Sequence, residues 1–185
     1  GRHESIVSRP GMRERTILLH GLSKAFAMTG FRIGYACAPA PLIEAMMKIH
    51  QYAILCAPTP SQEAATEALK EADTITEEAR STYRIRRDFL LRRLQEAGLP
   101  SVRPDGAFYL FVDVRGTGLS SRDFALRLLE EEKVAVVPGD AFGPGGEGFV
   151  RCSYATSLER LEVAADRIQR FAQRLPAEKP AVVAR

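Results

Sequence analysis

Cysteine is scarce in this chain of 185 residues, limited to Cys37, Cys56 and Cys152. An odd number with no Cys-x-x-Cys spacing indicates neither a disulfide framework nor a zinc site, and reduced thiols of a cytoplasmic protein are expected. Histidine is as sparse, and His3, His20 and His50 lie too far apart to form a metal-ligand spacing, so no metal is expected. No apolar run is long enough to span a bilayer, and the first thirty residues, with Arg2, Glu4, Arg9, Arg13, Glu14 and Arg15, hold no apolar signal core. A strong charge bias is also lacking. The 26 basic and 23 acidic residues leave a net charge of +3, too little to argue for nucleic acid as a partner. The basic run Arg84, Arg86, Arg87, Arg92 and Arg93 is interleaved with Glu77, Glu78, Asp88 and Glu96 and reads as a solvated helix face. No internal repeat is visible.

What remains is an ordinary globular composition, 45% hydrophobic, with room for one substantial domain or two small ones. Its most unusual stretch is Gly21 to Gly34, GLSKAFAMTGFRIG. Taken singly, Lys24 suits a solvated amine, Ser23 a helix cap and Arg32 half of a surface ion pair. Taken together they offer a different chemistry. A lysine amine can bond to an aldehyde when its surroundings keep it partly unprotonated, as burial near another cation does. Ser23 and Arg32 suit a phosphate, one as a hydroxyl donor and the other as a fixed cationic fork. Gly30 and Gly34 allow close approach of the main chain or a turn that a Cβ would hinder. An aldehyde that carries a phosphate, pyridoxal 5'-phosphate, matches all three groups.

The stretch resembles the cofactor-lysine signature of class I and II aminotransferases, in the fold-type I pyridoxal-phosphate superfamily, and agrees with it at each constrained position. The resemblance implies that Lys24 holds the cofactor as a Schiff base and moves the proton at the substrate Cα, while Ser23 and Arg32 anchor the phosphate. A second segment, Phe-Val-Arg-Cys-Ser-Tyr-Ala around Arg151, resembles the family's small-domain strand, whose arginine grips the substrate α-carboxylate. On its own, Arg151 in an apolar strand must face solvent or find a partner, because burying an unpaired charge is costly. The family further implies a homodimer with shared active sites, amino acid and 2-oxo acid substrates, and an α/β fold. In that fold a parallel-sheet large domain is joined to an α+β small domain. The family's elements before the lysine, including the phosphate loop and the aspartate on the ring nitrogen, are not found here. The chain therefore resembles the C-terminal half and is expected to be incomplete alone, a catalytically inactive fragment of such an enzyme being one alternative.

Along the chain, Thr16 to His20 has the pattern of a buried strand of a parallel sheet, and Ile33 to Ala38 that of a second strand. Pro41 to Tyr52 reads as a helix with Leu42, Ala45, Met46 and Ile49 on one side, its methionines serving as core filler. After a break at 56–60, a helix restarts at Ser61 as cap and runs to Lys70. Thr74 to Ala97 is the longest helical pattern, with a Thr74–Glu77 capping box and Gly98 as its stop. At about 36 Å it is long enough to join two lobes. The expected divisions are thus residues 1–73 for part of the cofactor-binding domain, 74–98 for the connecting helix and 99–185 for the small domain. Within the last, Gly106–Val114, Val134–Pro138 and Phe149–Tyr154 are expected strands, and Ser121–Glu132 and Leu158–Leu175 helices.

In the family, the 52–60 region corresponds to a loop near the substrate entrance. No arginine occupies it here, whereas Tyr52, Ile54 and Leu55 do. This favours an aromatic, acyl-diaminopimelate or broad-specificity aminotransferase over one dedicated to aspartate. A lyase or decarboxylase of the same fold would use the same Lys24, Ser23, Arg32 and Arg151, and is the alternative.

Overall fold

The computed structural model of the chain describes residues 3–175, which fall into two units divided between Arg80 and Ser81. In the first, strand β1 (Leu18–Gly21) pairs with β2 (Gly34–Cys37). The pairing is antiparallel, Leu18 facing Cys37 and Gly21 facing Gly34. Both expected strands are therefore present, but Thr16–His20 is neither buried nor given a parallel neighbour among the described residues. Leu19 is 71% exposed. The reason is the short return through residues 22–33, which permits an antiparallel partner; a parallel one needs a longer crossover. Mixed sheets commonly carry such an antiparallel strand at their edge.

Helices α1 (Leu22–Ala25), α2 (Ala40–Ala53) and α3 (Thr59–Lys70) follow. Helix α2 has a proline in its first turn as expected. Its expected core face stays open instead: Leu42 is 41% and Ile49 73% exposed. Ser61 is not a cap. Helix α3 starts earlier, behind Pro58 and with a proline in its own first turn, and Ser61 is buried inside it. Thr74 likewise lies inside α4 (Ala72–Glu96), because only Glu71 separates α3 from α4. The first unit's core is small: Leu22, Met28 and Ala65, with Phe26, Ile33, Ala64 and Ala68 packed on them.

Helix α4 ends where Gly98 takes a φ of +75°, a conformation that suits glycine. In the second unit, β3 (Tyr109–Asp113), β4 (Val137–Pro138) and β5 (Phe149–Ser153) form an antiparallel sheet in the order β3-β5-β4. Helices α5 (Ser121–Glu132) and α6 (Leu158–Arg174) complete the layer pair. One core joins Leu90 and Leu94 of α4, Leu110 and Val112 of β3, Val150 and Cys152 of β5, Phe124 and Leu128 of α5, and Leu161, Ile168 and Phe171 of α6. Each such side chain contributes about 1.5–3 kcal/mol by leaving water. Strand β3 begins later than expected because Ala107 adopts a φ of +61°, with its carbonyl held by the Tyr154 hydroxyl at 3.0 Å. Strand β4 is only two residues long. Lys133 turns left-handed at the end of α5, and Pro138, on the sheet edge, has no N–H to extend the ladder.

Two arginines of the basic run are not simply solvated. Arg93 Nη2 donates to Asp166 Oδ1 at 2.6 Å and to Gln169 Oε1 at 3.1 Å, tying α4 to α6. Arg87 Nη1 donates to the Pro104 carbonyl at 3.2 Å. A denser cluster joins α5 to α6: Arg174 Nη1 donates to Glu132 Oε1 at 2.8 Å, and Arg170 Nη2 to Glu132 Oε2 at 2.9 Å. Hydrogen bonding from Arg174, reinforced by Arg170, holds the Glu132 carboxyl below its usual range.

Two measurements check this core. Burial pushes the Cys152 thiol up to about 12, while Cys37 and Cys56 are exposed. Iodoacetamide at neutral pH should therefore modify Cys37 and Cys56 quickly and reach Cys152 only after denaturation; rapid modification of Cys152 in the native state would contradict the packing. For Glu132, a lowered folded-state pKa means stability that is complete above the ordinary value of 4.5 and lost as pH falls through the folded one. Glu132→Gln should flatten the acid side of the stability profile measured by urea unfolding, and an unchanged acid limb would show that the cluster contributes nothing.

Candidate active-site elements

The lysine-bearing stretch is a loop whose two ends are held together by the β1–β2 ladder. Gly21 faces Gly34 across it, and the Leu22 amide donates to the Ile33 carbonyl at 3.2 Å. A Cβ on Gly34 would lie 2.6 Å from the His20 carbonyl oxygen, so only glycine fits at this neck. Gly30 differs: nothing lies within 4 Å of the Cβ it lacks, and its expected close approach is not seen among the described residues. Beyond the neck, the apolar residues anchor the loop. Leu22 and Met28 are buried, packing with Ala65 of α3. Anchoring them leaves Ser23 half-buried and Lys24 and Arg32 exposed.

Two non-glycine residues of this loop, Ala27 (φ +53°) and Arg32 (φ +51°), take left-handed conformations on either side of the 3-10 turn Thr29–Phe31. Such strain concentrates at functional sites, where surrounding packing holds it. Arg32 Nη1 donates to the Thr29 carbonyl at 2.9 Å, which fixes the guanidinium against its own turn. Lys24 lies in the last turn of the short helix α1, which ends at Ala25. The burial that was expected to act on its amine is not provided by the described residues. His20, at the neck, stacks on Tyr35 with ring centroids 5.2 Å apart, and its Nδ1 is buried without a hydrogen-bond partner among them.

Arg151 lies in the second unit, on β5. Strand alternation sends Val150 and Cys152 into the core and turns Arg151 to the other face, opposite Phe111 on one side and Val137 on the other. That face is aromatic. The Arg151 guanidinium carbon lies 4.3 Å from the Tyr109 ring centre and 4.6 Å from that of Phe142. Phe111 stacks on Phe149 at 5.2 Å and meets Phe142 edge-on at 6.1 Å. Sequence reading missed this setting, although the two-residue spacing of Tyr109 and Phe111 in an expected strand already places both on one face.

Phe142 is delivered by the glycine-rich loop 139–148. Gly139 and Gly146 touch backbone to backbone so closely that a Cβ on Gly146 would come within 2.0 Å of the Gly139 oxygen. Ser121 fixes the loop's end: its buried hydroxyl accepts from the Gly148 amide at 2.8 Å and the Phe149 amide at 3.1 Å. No such role for Ser121 is visible in sequence, because its partners lie 27 and 28 positions away. Among the described residues no His, Cys, Asp and Glu cluster could hold a metal ion, and no helix is long and apolar enough to cross a membrane.

The sequence profile of the family described as Aminotransferase class I and II matches residues 2–168. An aspartate aminotransferase of Pyrococcus abyssi is 50% identical over 171 residues, covering 91% of this chain and 44% of the relative. Aromatic-amino-acid aminotransferase 2 of Thermococcus litoralis is 48% identical over 168 residues, covering 90% of this chain and 43% of the relative. Among solved structures, the aromatic aminotransferase of Pyrococcus horikoshii superposes with a TM-score of 0.88 at 50% identity, covering 94% of this chain and 47% of that one. The chain thus spans somewhat less than half the length of the relatives it matches, and its fold is the fold-type I architecture expected from sequence.

The glycine geometry supplies a direct check of the loop. Gly34→Ala should cost about 1–3 kcal/mol in urea unfolding, as overpacked sites do, whereas Gly30→Ala should stay within about 0.5 kcal/mol. Equal effects of the two would show that the neck is not the constraint.

Proposed function

We propose that this chain, which belongs to the class I and II aminotransferases, carries the cofactor lysine and the substrate-carboxylate arginine of an enzyme that moves an amino group between an amino acid and a 2-oxo acid. The observation that carries the reading is the loop 21–34. Its packing and pinched neck present an amine, a hydroxyl and a guanidinium on one short return. That donor set fits pyridoxal 5'-phosphate, with its aldehyde at Lys24 and its phosphate at Ser23 and Arg32. When bound, the cofactor supplies an electron sink for charge that develops at the substrate Cα.

The chain's own residues do the rest. Arg32 keeps one guanidinium nitrogen on the Thr29 carbonyl and offers phosphate a permanent charge from a left-handed turn of the backbone. Ser23 adds a hydroxyl donor. Lys24 Nζ would take the proton from the substrate Cα as a general base and, once protonated, give it up again as a general acid. Arg151 receives the α-carboxylate through two parallel N–H donors and so orients the Cα bond to be broken. Donor and acceptor use the site in turn, so ping-pong kinetics are expected.

For the substrate we favour an aromatic, acyl-diaminopimelate or broad-specificity donor. Relatives of nearly equal identity are named for aspartate and for aromatic amino acids, so the support comes from the arginine-free 52–60 segment and the aromatic face beside Arg151. We place the enzyme in the cytoplasm as a homodimer with shared active sites. Its domains would be 1–73, 74–98 and 99–185, as the sequence suggests. The exposed side chains of Ile49, Tyr52, Ile54 and Leu55, from 67% to 87% open, support a partner-facing surface there.

The cofactor assignment is tested by adding pyridoxal 5'-phosphate to the full-length protein, reducing with borohydride and mapping the product. A pyridoxyl group on Lys24, absent from Lys24→Ala, is expected; labelling of other lysines alone would refute the assignment. Substrate choice is tested by comparing kcat/KM across amino donors. Phenylalanine or tyrosine should exceed aspartate, and the opposite order would overturn the specificity reading.

A further inference from the structure

Arg151 is held in an uncommon way. An arginine fork usually takes its orientation from a carboxylate, but among the described residues Arg151 has aromatic neighbours and no ion-pair partner. Tyr109 on β3 and Phe142 on the 139–148 loop each place a ring centre within 4.6 Å of its central carbon. An arginine lying over a ring face is attracted by the ring's negative face, and its N–H groups, which lie in the guanidinium plane, remain open at the edge. Both rings are themselves fixed. Tyr109 is in the β3–β5 ladder opposite Ser153. Phe142 rides on a loop closed by the Gly139–Gly146 contact and by the Ser121 hydroxyl.

We propose that Tyr109 and Phe142 are positioning residues that clamp the Arg151 guanidinium, so that its donors are already aimed when a substrate carboxylate arrives. The inference rests on the reading of Arg151 as the carboxylate-binding group. The clamp acts before binding: it removes rotamer freedom that a long side chain would otherwise lose in the complex, and among the described residues it does so without a counter-charge that would compete with substrate. Phe142, 52% exposed, also presents ring surface to an apolar substrate side chain next to the captured carboxylate.

The test uses the full-length holoenzyme and two unreactive ligands of like shape, 3-phenylpropionate and 3-phenylpropanol, titrated by calorimetry. Wild-type protein should prefer the carboxylate by about tenfold or more. The double variant Tyr109→Leu with Phe142→Leu should lose most of that preference, about tenfold, because the alcohol, which shares only the ring contact with Phe142, weakens less than the carboxylate. Tyr109→Phe, which keeps the ring, should retain it. Should the double variant fold poorly, Phe142→Leu alone, at an exposed position, should lose about threefold. An unaltered preference in the leucine variants, or equal weakening of both ligands, would overturn the clamp. Arg151→Met separates the two levels: loss of preference there with none in the leucine variants defeats the clamp only, whereas a preference that survives Arg151→Met defeats the carboxylate reading and the clamp with it.

Discussion

Burial of one face of the β3–β5 ladder decides what the other face can be. Leu110 and Val112 on one strand, Val150 and Cys152 on the other, are all committed to the core beneath α5 and α6. With a side-chain period of two, a slip of one residue would bring Arg151 inside and expose Cys152, at the cost of an unpaired buried charge and several apolar side chains. The register is therefore strongly determined. Its consequence is that Tyr109, Phe111, Phe149 and Arg151 share the outer face, and the ring contacts around Arg151 follow from that commitment.

The first unit reaches a comparable result with far fewer buried atoms. Leu22 and Met28 anchor the loop on α3 from within the same stretch that carries Ser23, Lys24 and Arg32. The residues that fix the loop and those proposed for its chemistry are thus interleaved in sequence and separated in space. Two left-handed residues, Ala27 and Arg32, are tolerated because the neck at Gly21 and Gly34 and the apolar anchors together leave the backbone no cheaper path. The open side chains of α2 and of the segment after it show that this unit's apolar surface is not satisfied within the described residues.

Local chemistry made much of this visible in advance. Helix α5 has the bounds that its apolar spacing predicts, since Ser120 caps it and Lys133 ends it in a left-handed turn. The lysine stretch and Arg151 stand out because a charged or reactive group in an apolar or glycine-rich setting needs a reason. Other features depend on partners distant in sequence and were not legible. Ser61 and Thr74 look like caps, but the start of α3 behind Pro58 and the near-continuity of α3 with α4 place both inside helices. Arg87 and Arg93 look solvated, and only the fold brings Pro104, Asp166 and Gln169 to them. The loop that presents Phe142 depends on Ser121 and on two glycine backbones in contact, which no local pattern encodes.

The loop that carries Lys24 and the sheet face that carries Arg151 are each set by apolar packing beneath them, and the roles proposed for the two residues rest on that placement. Isotope transfer tests that account most directly. The full-length protein, given 15N-phenylalanine and an unlabelled 2-oxo acid in the presence of pyridoxal 5'-phosphate, should move the 15N into the amino acid formed from that 2-oxo acid and leave phenylpyruvate behind. Release of the label as ammonium, or its retention in phenethylamine, would contradict the account.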